Sequence, residues 1–290
     1  MVYIKNTRIQ SGYLDYYLMF NRKDNEKYLL VIGSFISVIA TQPLEAQANN
    51  ISPVTVGRFI THCQPTVSGS FDPINGSRKS HRHEFFGPKS LTPQMELKQI
   101  TRKNSSCSFS ADHSAYWHPT LYIGKTRVEP SRIQAYYNVN NEVRAFPLNL
   151  SYKSLDAVSD PVHIKWYCSG KGKDRTSNTA QSCRDGEYLM ASVEFPSCWD
   201  GHSTDSIDHR SHLTYKGESY NCSRTHPVEV PQLTLFIQWS CNKVCGATSD
   251  LKLSSGATNT FHADFLAGWK PKELNFLINK CKNKDCGVIR

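Results

Sequence analysis

"QLTLFIQWSC", residues 232–241, decides the fold class: apolar side chains alternate along it, with aromatic and β-branched residues among them. That pattern argues a β-strand with one face buried. Working outward, "RIQAYYNV" (132–139), "VHIKWYCSG" (162–170) and "YLMASVEF" (188–195) read the same way. Between the runs lie loop compositions, "GKGKDRTSNTAQS" and "KVCGATSDLKLSSGATNT". Helices are few. "TPQMELKQI" (92–100) places Thr92 as N-cap and Pro93 at the first helical position. "PKELNFLINKCK" (271–282) sets Leu274, Leu277, Ile278 and Cys281 on one face. The expectation is a mainly β protein: an antiparallel β-sandwich, barrel or jelly-roll-like fold with few short helices and a C-terminal helix.

Upstream, "YLLVIGSFISVIAT" (28–41) is an apolar run preceded by the basic "NRKDNEK" and followed by Ala46-Gln47-Ala48. This is the layout of a secretory signal, too short for a membrane span. Met19 gives a signal of ordinary length, so residues 1–48 read as an N-terminal extension and signal peptide. Residues 49–290 read as one domain, starting near Asn49. Localisation is then secreted or extracellular, or periplasmic, with no membrane contact after cleavage.

All ten cysteines (63, 107, 168, 183, 198, 222, 241, 245, 281, 286) follow the cleavage site, and an even count behind a signal reads as disulfides. Cys241-x3-Cys245 and Cys281-x4-Cys286 suit local bridges better than thiolate zinc. Spacing does not give the connectivity; the neighbour pairs 63–107, 168–183 and 198–222 are guesses. Net charge is +9, and removing residues 1–48 takes away five basic and four acidic side chains, leaving +8. The basic residues are scattered apart from clusters at 170–175 and 270–284. An anionic polysaccharide or cell wall suits this charge better than nucleic acid, which an exported protein seldom meets.

Polar chemistry concentrates beside aromatic residues. In "SHRHEFFG" (80–87) a strand puts His81 and His83 on one face. "SCWDGHSTDSIDHRSHLTY" (197–215) carries Asp200, Asp205, Asp208, His209, Arg210 and His212. In "TFHADFLAGW" (260–269), His262 and Asp264 share a strand face. "DHSAYWHPTLY" (112–122) adds Asp112, His113 and His118 in an aromatic patch.

At these residues the chain resembles DUF1996, a family of secreted proteins of unknown function. The resemblance rests on "DPI" (72–74), "HRHEFFG", "SAYWHPTLY" (114–122), "AFP" (145–147), "FPSCWDG" (195–201), "DHRSH" (208–212), "CSRTHPVEVPQL" (222–233) and "HADFLAGW" (262–269). It covers about residues 57–282. Fungal members of the family often accompany carbohydrate-binding WSC modules, which implies a wall or polysaccharide setting; no such module is present here. His118 and His202 depart from the family's usual pattern and stay outside the expected site.

Three functions follow as expectations. One is a glycoside hydrolase or lyase acting on a polysaccharide or cell-wall glycan. Its catalytic residues would come from His83, Asp208, His209, Arg210, His212 and Asp264, with Trp117, Trp199 and Trp269 stacking on sugar rings. Another is a divalent-metal site, zinc or copper, on His81, His83, His212 and His262. The third is a non-catalytic metal- or carbohydrate-binding extracellular protein. The site is expected where "DHRSH", "HRH" and "HADF" converge beside a disulfide of Cys198 or Cys222.

Overall fold

The computed structural model describes residues 57–76, 79–92, 104–170, 176–240, 244 and 246–290. The signal segment, the mature start near Asn49, the helix expected at 92–100 and the Cys241–Cys245 bridge lie outside the described residues. Two sheets form the frame. The larger has the order β17 (Asp285–Val288), β1 (Gly57–Cys63), β7 (Arg132–Val139), β14 (Gln232–Ser240), β10 (Tyr188–Glu194) and β9 (Ile164–Cys168). All its pairings are antiparallel except β1 with β17. The four runs singled out by alternation are therefore neighbouring strands of one sheet.

The smaller sheet has the order β2 (Pro65–Gly69), β3 (His83–Phe86), β4 (Ala115–Pro119), β16 (Asp264–Leu266) and β8 (Ser151–Lys153), all antiparallel. Two three-stranded ribbons complete the strands: β12 (Leu213–Thr214), β11 (Cys198–Trp199) and β13 (Val228–Glu229); then β15 (Leu251–Leu253), β5 (Leu121–Ile123) and β6 (Thr126–Val128). The sheets are open, so the sandwich reading holds and the barrel does not.

One core joins the two main sheets. Phe59, Ile133, Tyr137, Leu235 and Ile237 from the larger sheet meet Phe86, Tyr116, Tyr152 and Phe265 from the smaller. A buried polar network runs through it: Asp112 accepts from Thr61 Oγ1 at 2.8 Å and Tyr116 Oη at 2.9 Å, and the Tyr116 hydroxyl also bonds that of Tyr137. Trp269 donates to the same Tyr137 hydroxyl at 3.0 Å. Such satisfied networks tie two sheets into one register at little desolvation cost.

The outer face of the smaller sheet carries a second cluster of Phe71, Ile74, Phe85, Leu91, Trp117 and Leu266. The two-residue period of strands puts His83 on this face with Phe85, and Asp264 with Leu266. Helix α1 (Pro271–Cys281) packs Leu274, Leu277, Ile278 and Cys281 inward, as its spacing requires. Disulfides join Cys63–Cys107, Cys168–Cys183, Cys198–Cys222 and Cys281–Cys286, which are the three neighbour pairs and the C-terminal local bridge. Among the described residues, no helix is long and apolar enough to cross a membrane.

Candidate metal centre

Register explains how distant histidines meet. On β3, His83 faces Pro119 of β4, and Trp117 of β4 faces Asp264 of β16. Continuing that register two residues brings His262 opposite Pro119 from the other side. His83 and His262 therefore flank one proline, and His81, two residues before His83, reaches over the same face. Ring centroids of His81 lie 4.3 Å from His83 and 5.1 Å from His262. One ligand atom from each of the three imidazoles falls within 4.8 Å of the other two.

The backbone sets their protons. His83 Nδ1 donates to the Phe71 carbonyl at 2.9 Å, and His262 Nδ1 donates to the Thr260 carbonyl at 2.9 Å. Both rings thus hold a bare Nε2 towards the centre. His83 Nε2 is buried and has no hydrogen-bond partner. A carbonyl on the far nitrogen is the usual orienting partner of a metal-bound histidine. Burial, first of all, keeps the rings neutral: the pKa of His83 falls to about 2 and that of His262 to about 4. That of His81 is lowered as well, by burial and by Lys153 against the opposing pull of Asp72. Neutral imidazoles with free lone pairs are what a borderline cation binds.

The donor set fits zinc or copper. His81 Nε2 and His262 Nε2 stand 3.2 Å apart. Two nitrogens on one tetrahedral zinc are about 3.3 Å apart, from zinc–nitrogen bonds of about 2.0–2.1 Å. His81 and His262 are partly exposed, whereas His83 is buried.

Charged groups surround it. Lys153 on β8 pairs with the Asp72 carboxylate, whose other oxygen accepts from the backbone of Ile74 at 3.0 Å. Asp264 lies buried between Trp117 and Lys153 in register, and neither of its oxygens nor the Trp117 indole nitrogen closes a hydrogen bond. Burial, and secondarily the Asp72 charge, push the Asp264 carboxyl well above its usual range.

The "DHRSH" loop lies beyond β8, on the edge of the same sheet. Lys153 N donates to the His209 carbonyl at 3.1 Å, and Ser151 N to that of Thr204 at 2.9 Å. Asp208 and His209 bond within the loop itself. Asp208 Oδ1 accepts from Arg210 N, Ser211 N and Ser206 Oγ, which hold its pKa low. His209 Nδ1 bonds Asp205 at 2.9 Å, with its backbone at φ 57°. His212 is buried with both ring nitrogens engaged: Nε2 donates to the Ser151 carbonyl at 2.6 Å and Nδ1 contacts Ser206 Oγ at 2.9 Å. Burial pushes the Tyr152 phenol up to about 12, against the opposing charge of Arg210. His212 is thus placed as a tie between loop and sheet, with its Nε2 spent on the Ser151 carbonyl. The Cys198–Cys222 bridge closes the segment.

The tryptophans stand differently from their expected stacking role. Trp117 and Trp269 are buried in the two apolar clusters and present no face to a sugar. Trp199 is partly exposed, with its indole nitrogen donating to the Ser203 carbonyl at 2.6 Å. Asp72, Lys153 and the carbonyls of Phe71 and Thr260 were not among the residues expected at the site; only the "DPI" motif pointed to one of them.

A family model described as a domain of unknown function (DUF1996) matches residues 72–269. No curated protein and no solved structure matches the chain.

Proposed function

The chain belongs to the DUF1996 family, and from the geometry of its histidines we propose that it is an exported metal-binding protein, with zinc or copper held by His81, His83 and His262, acting on a polysaccharide. The observation that carries the metal is the buried, unpartnered His83 Nε2 facing two further imidazoles. An orphaned buried nitrogen costs stability unless something occupies it. Three protein ligands leave a coordination position open, as hydrolytic zinc sites do. When bound, the cation would act there as a Lewis acid.

The chain's own residues then have definite tasks. Phe71 and Thr260 carbonyls orient the ligand rings. Lys153, paired with Asp72 beside the centre, sets the charge around the ligand rings, and Asp264 lies buried two residues along the strand from His262. Export is supported by the disulfides and by the leader-like sequence. The polysaccharide is supported by the wall setting that the family resemblance implies.

A screen for new reducing ends and unsaturated uronates over a polysaccharide panel tests the reading. The protein is assayed after chelator stripping and after reloading with zinc or copper. Products that appear only on reloading support it, and products indifferent to stripping remove the metal from the activity. With no product from loaded protein, metal binding alone remains.

A further inference from the structure

A second feature stands apart from the histidine centre. The outer face of the larger sheet ends in an open cleft of about 870 Å³, and none of the three metal-centre histidines lines it. Asn138 of β7 faces Gln232 of β14, and Glu194 ends β10 beside them. The segments 140–142 and 215–221, with Glu229 of β13, close the sides.

We propose that this cleft binds a neutral saccharide chain. Four features point there. Five carboxamides line it: Asn138, Asn140, Asn141, Asn221 and Gln232. Each amide both donates and accepts, as paired sugar hydroxyls require. The carboxylates in it are already aimed by neighbours: Glu229 Oε1 accepts from Asn140 Nδ2 at 2.7 Å and pairs with Lys216, and Glu194 Oε1 accepts from Gln232 Nε2 at 3.0 Å. Fixed acceptors of this kind orient hydroxyl donors.

Charge selects the class of sugar. Glu142, Glu194 and Glu229 line the cleft with Lys216 as the one lysine, although the chain as a whole is at +9. A polyuronate would be repelled there, whereas an uncharged chain is not. The acidic polymer suggested by net charge alone is not what this surface fits.

The fourth feature is Tyr220. Its side chain is 82% exposed, and its backbone sits at φ 58°, a conformation that bulky residues adopt only when their surroundings enforce it. The enforcement is local: Tyr220 N donates to the Gly217 carbonyl at 2.9 Å, and Cys222 is tied to Cys198 two residues on. Strain kept to hold an aromatic ring in water at a cleft rim is characteristic of a binding position. Deeper in, Tyr215 stacks on His163 at 3.5 Å between centroids, and His163 Nδ1 donates to Asp160 at 2.8 Å, so the cleft wall is rigid.

This inference rests on the glycan part of the proposed function and is independent of the metal. It names the sugar class and a separate place for it. Hexasaccharides of β-1,3-glucose, β-1,4-glucose and N-acetylglucosamine, with hexagalacturonate as the acidic arm, are titrated into the full protein, Y220G and F276S, an exposed helix position outside the cleft. Tyr220→Gly removes the ring and relieves the backbone, so its melting temperature should not fall. We expect at least one neutral hexamer to bind, with affinity at least tenfold weaker in Y220G and unchanged in F276S, and hexagalacturonate not to bind. Equal binding by Y220G overturns the cleft as the site but leaves the glycan reading standing. Preference for hexagalacturonate overturns the neutral class. Binding of no glycan at all overturns both the cleft and the glycan reading.

Discussion

His81 Nε2 lies 3.2 Å from His262 Nε2, and only one proton can sit between them. His262 has given its Nδ1 proton to the Thr260 carbonyl, so the shared proton belongs to His81. A cation that takes both nitrogens must displace it. We predict that zinc shifts His81 from the Nε2–H to the Nδ1–H tautomer, while His83 and His262 keep theirs. Imidazole nitrogen chemical shifts read this directly. Zinc binding with an unaltered His81 spectrum contradicts it.

Acid should destabilise the fold before the carboxylates titrate. Burial lowers His83 to about 2 and His118 and His262 to about 4, against 6.5 in the unfolded chain. Above pH 6.5 both states are neutral and nothing is lost. Between pH 6.5 and about 4 the unfolded chain binds protons that the folded chain refuses, so stability falls with pH. Each histidine contributes a slope of about 1.4 kcal/mol per pH unit once the unfolded state is fully protonated. Urea midpoints measured at pH 7 and pH 5 should differ accordingly; equal midpoints would refute the buried neutral state.

His212→Ala should cost stability and leave metal binding alone. The substitution strands the buried Ser151 carbonyl and opens the loop's attachment to β8, a loss of about 1–3 kcal/mol. Thermal melts and metal titration on the same sample separate the two effects. Loss of metal uptake in a folded H212A protein would restore this residue to the centre.

Asp264→Asn is expected to be nearly neutral for stability at pH 7, within about 1 kcal/mol. Burial is the largest influence on its carboxyl and favours the neutral form, which the amide matches in shape. Denaturant melts check it, and a large loss would mean that the ionised form is the one the fold uses.

Much of the fold was legible because strands that bury one face must alternate. The strand at 132–139 follows its pattern to the residue, and that at 232–240 follows it through the last described position. Helix α1 shows its four inward residues at helical spacing. The His-x-His pair and His262 were legible for the same reason, since a period of two aims each pair to one face. The "DHRSH" loop misled because Asp, Ser and His that cap turns are the same residue types that do chemistry. Only geometry shows that His212 turns its Nε2 to the Ser151 carbonyl and its Nδ1 to Ser206. Trp117 and Trp269 misled by adjacency: next to a polar motif in a strand means facing the opposite side or its buried neighbour. The cleft had no signal at all, since Asn138, Glu194, Tyr220 and Gln232 come from separate strands and a loop.

The central claim is that His81, His83 and His262 hold one metal ion. Calorimetric titration of zinc and of copper into chelator-stripped protein tests it most directly, with His81→Ala as comparison because that partly exposed ring can be removed without opening the core. The account predicts one equivalent bound per chain, affinity reduced about a hundredfold or more in H81A, and unfolding temperatures of the two stripped proteins that agree. No binding by the folded wild-type chain, or equal binding by H81A, would contradict it.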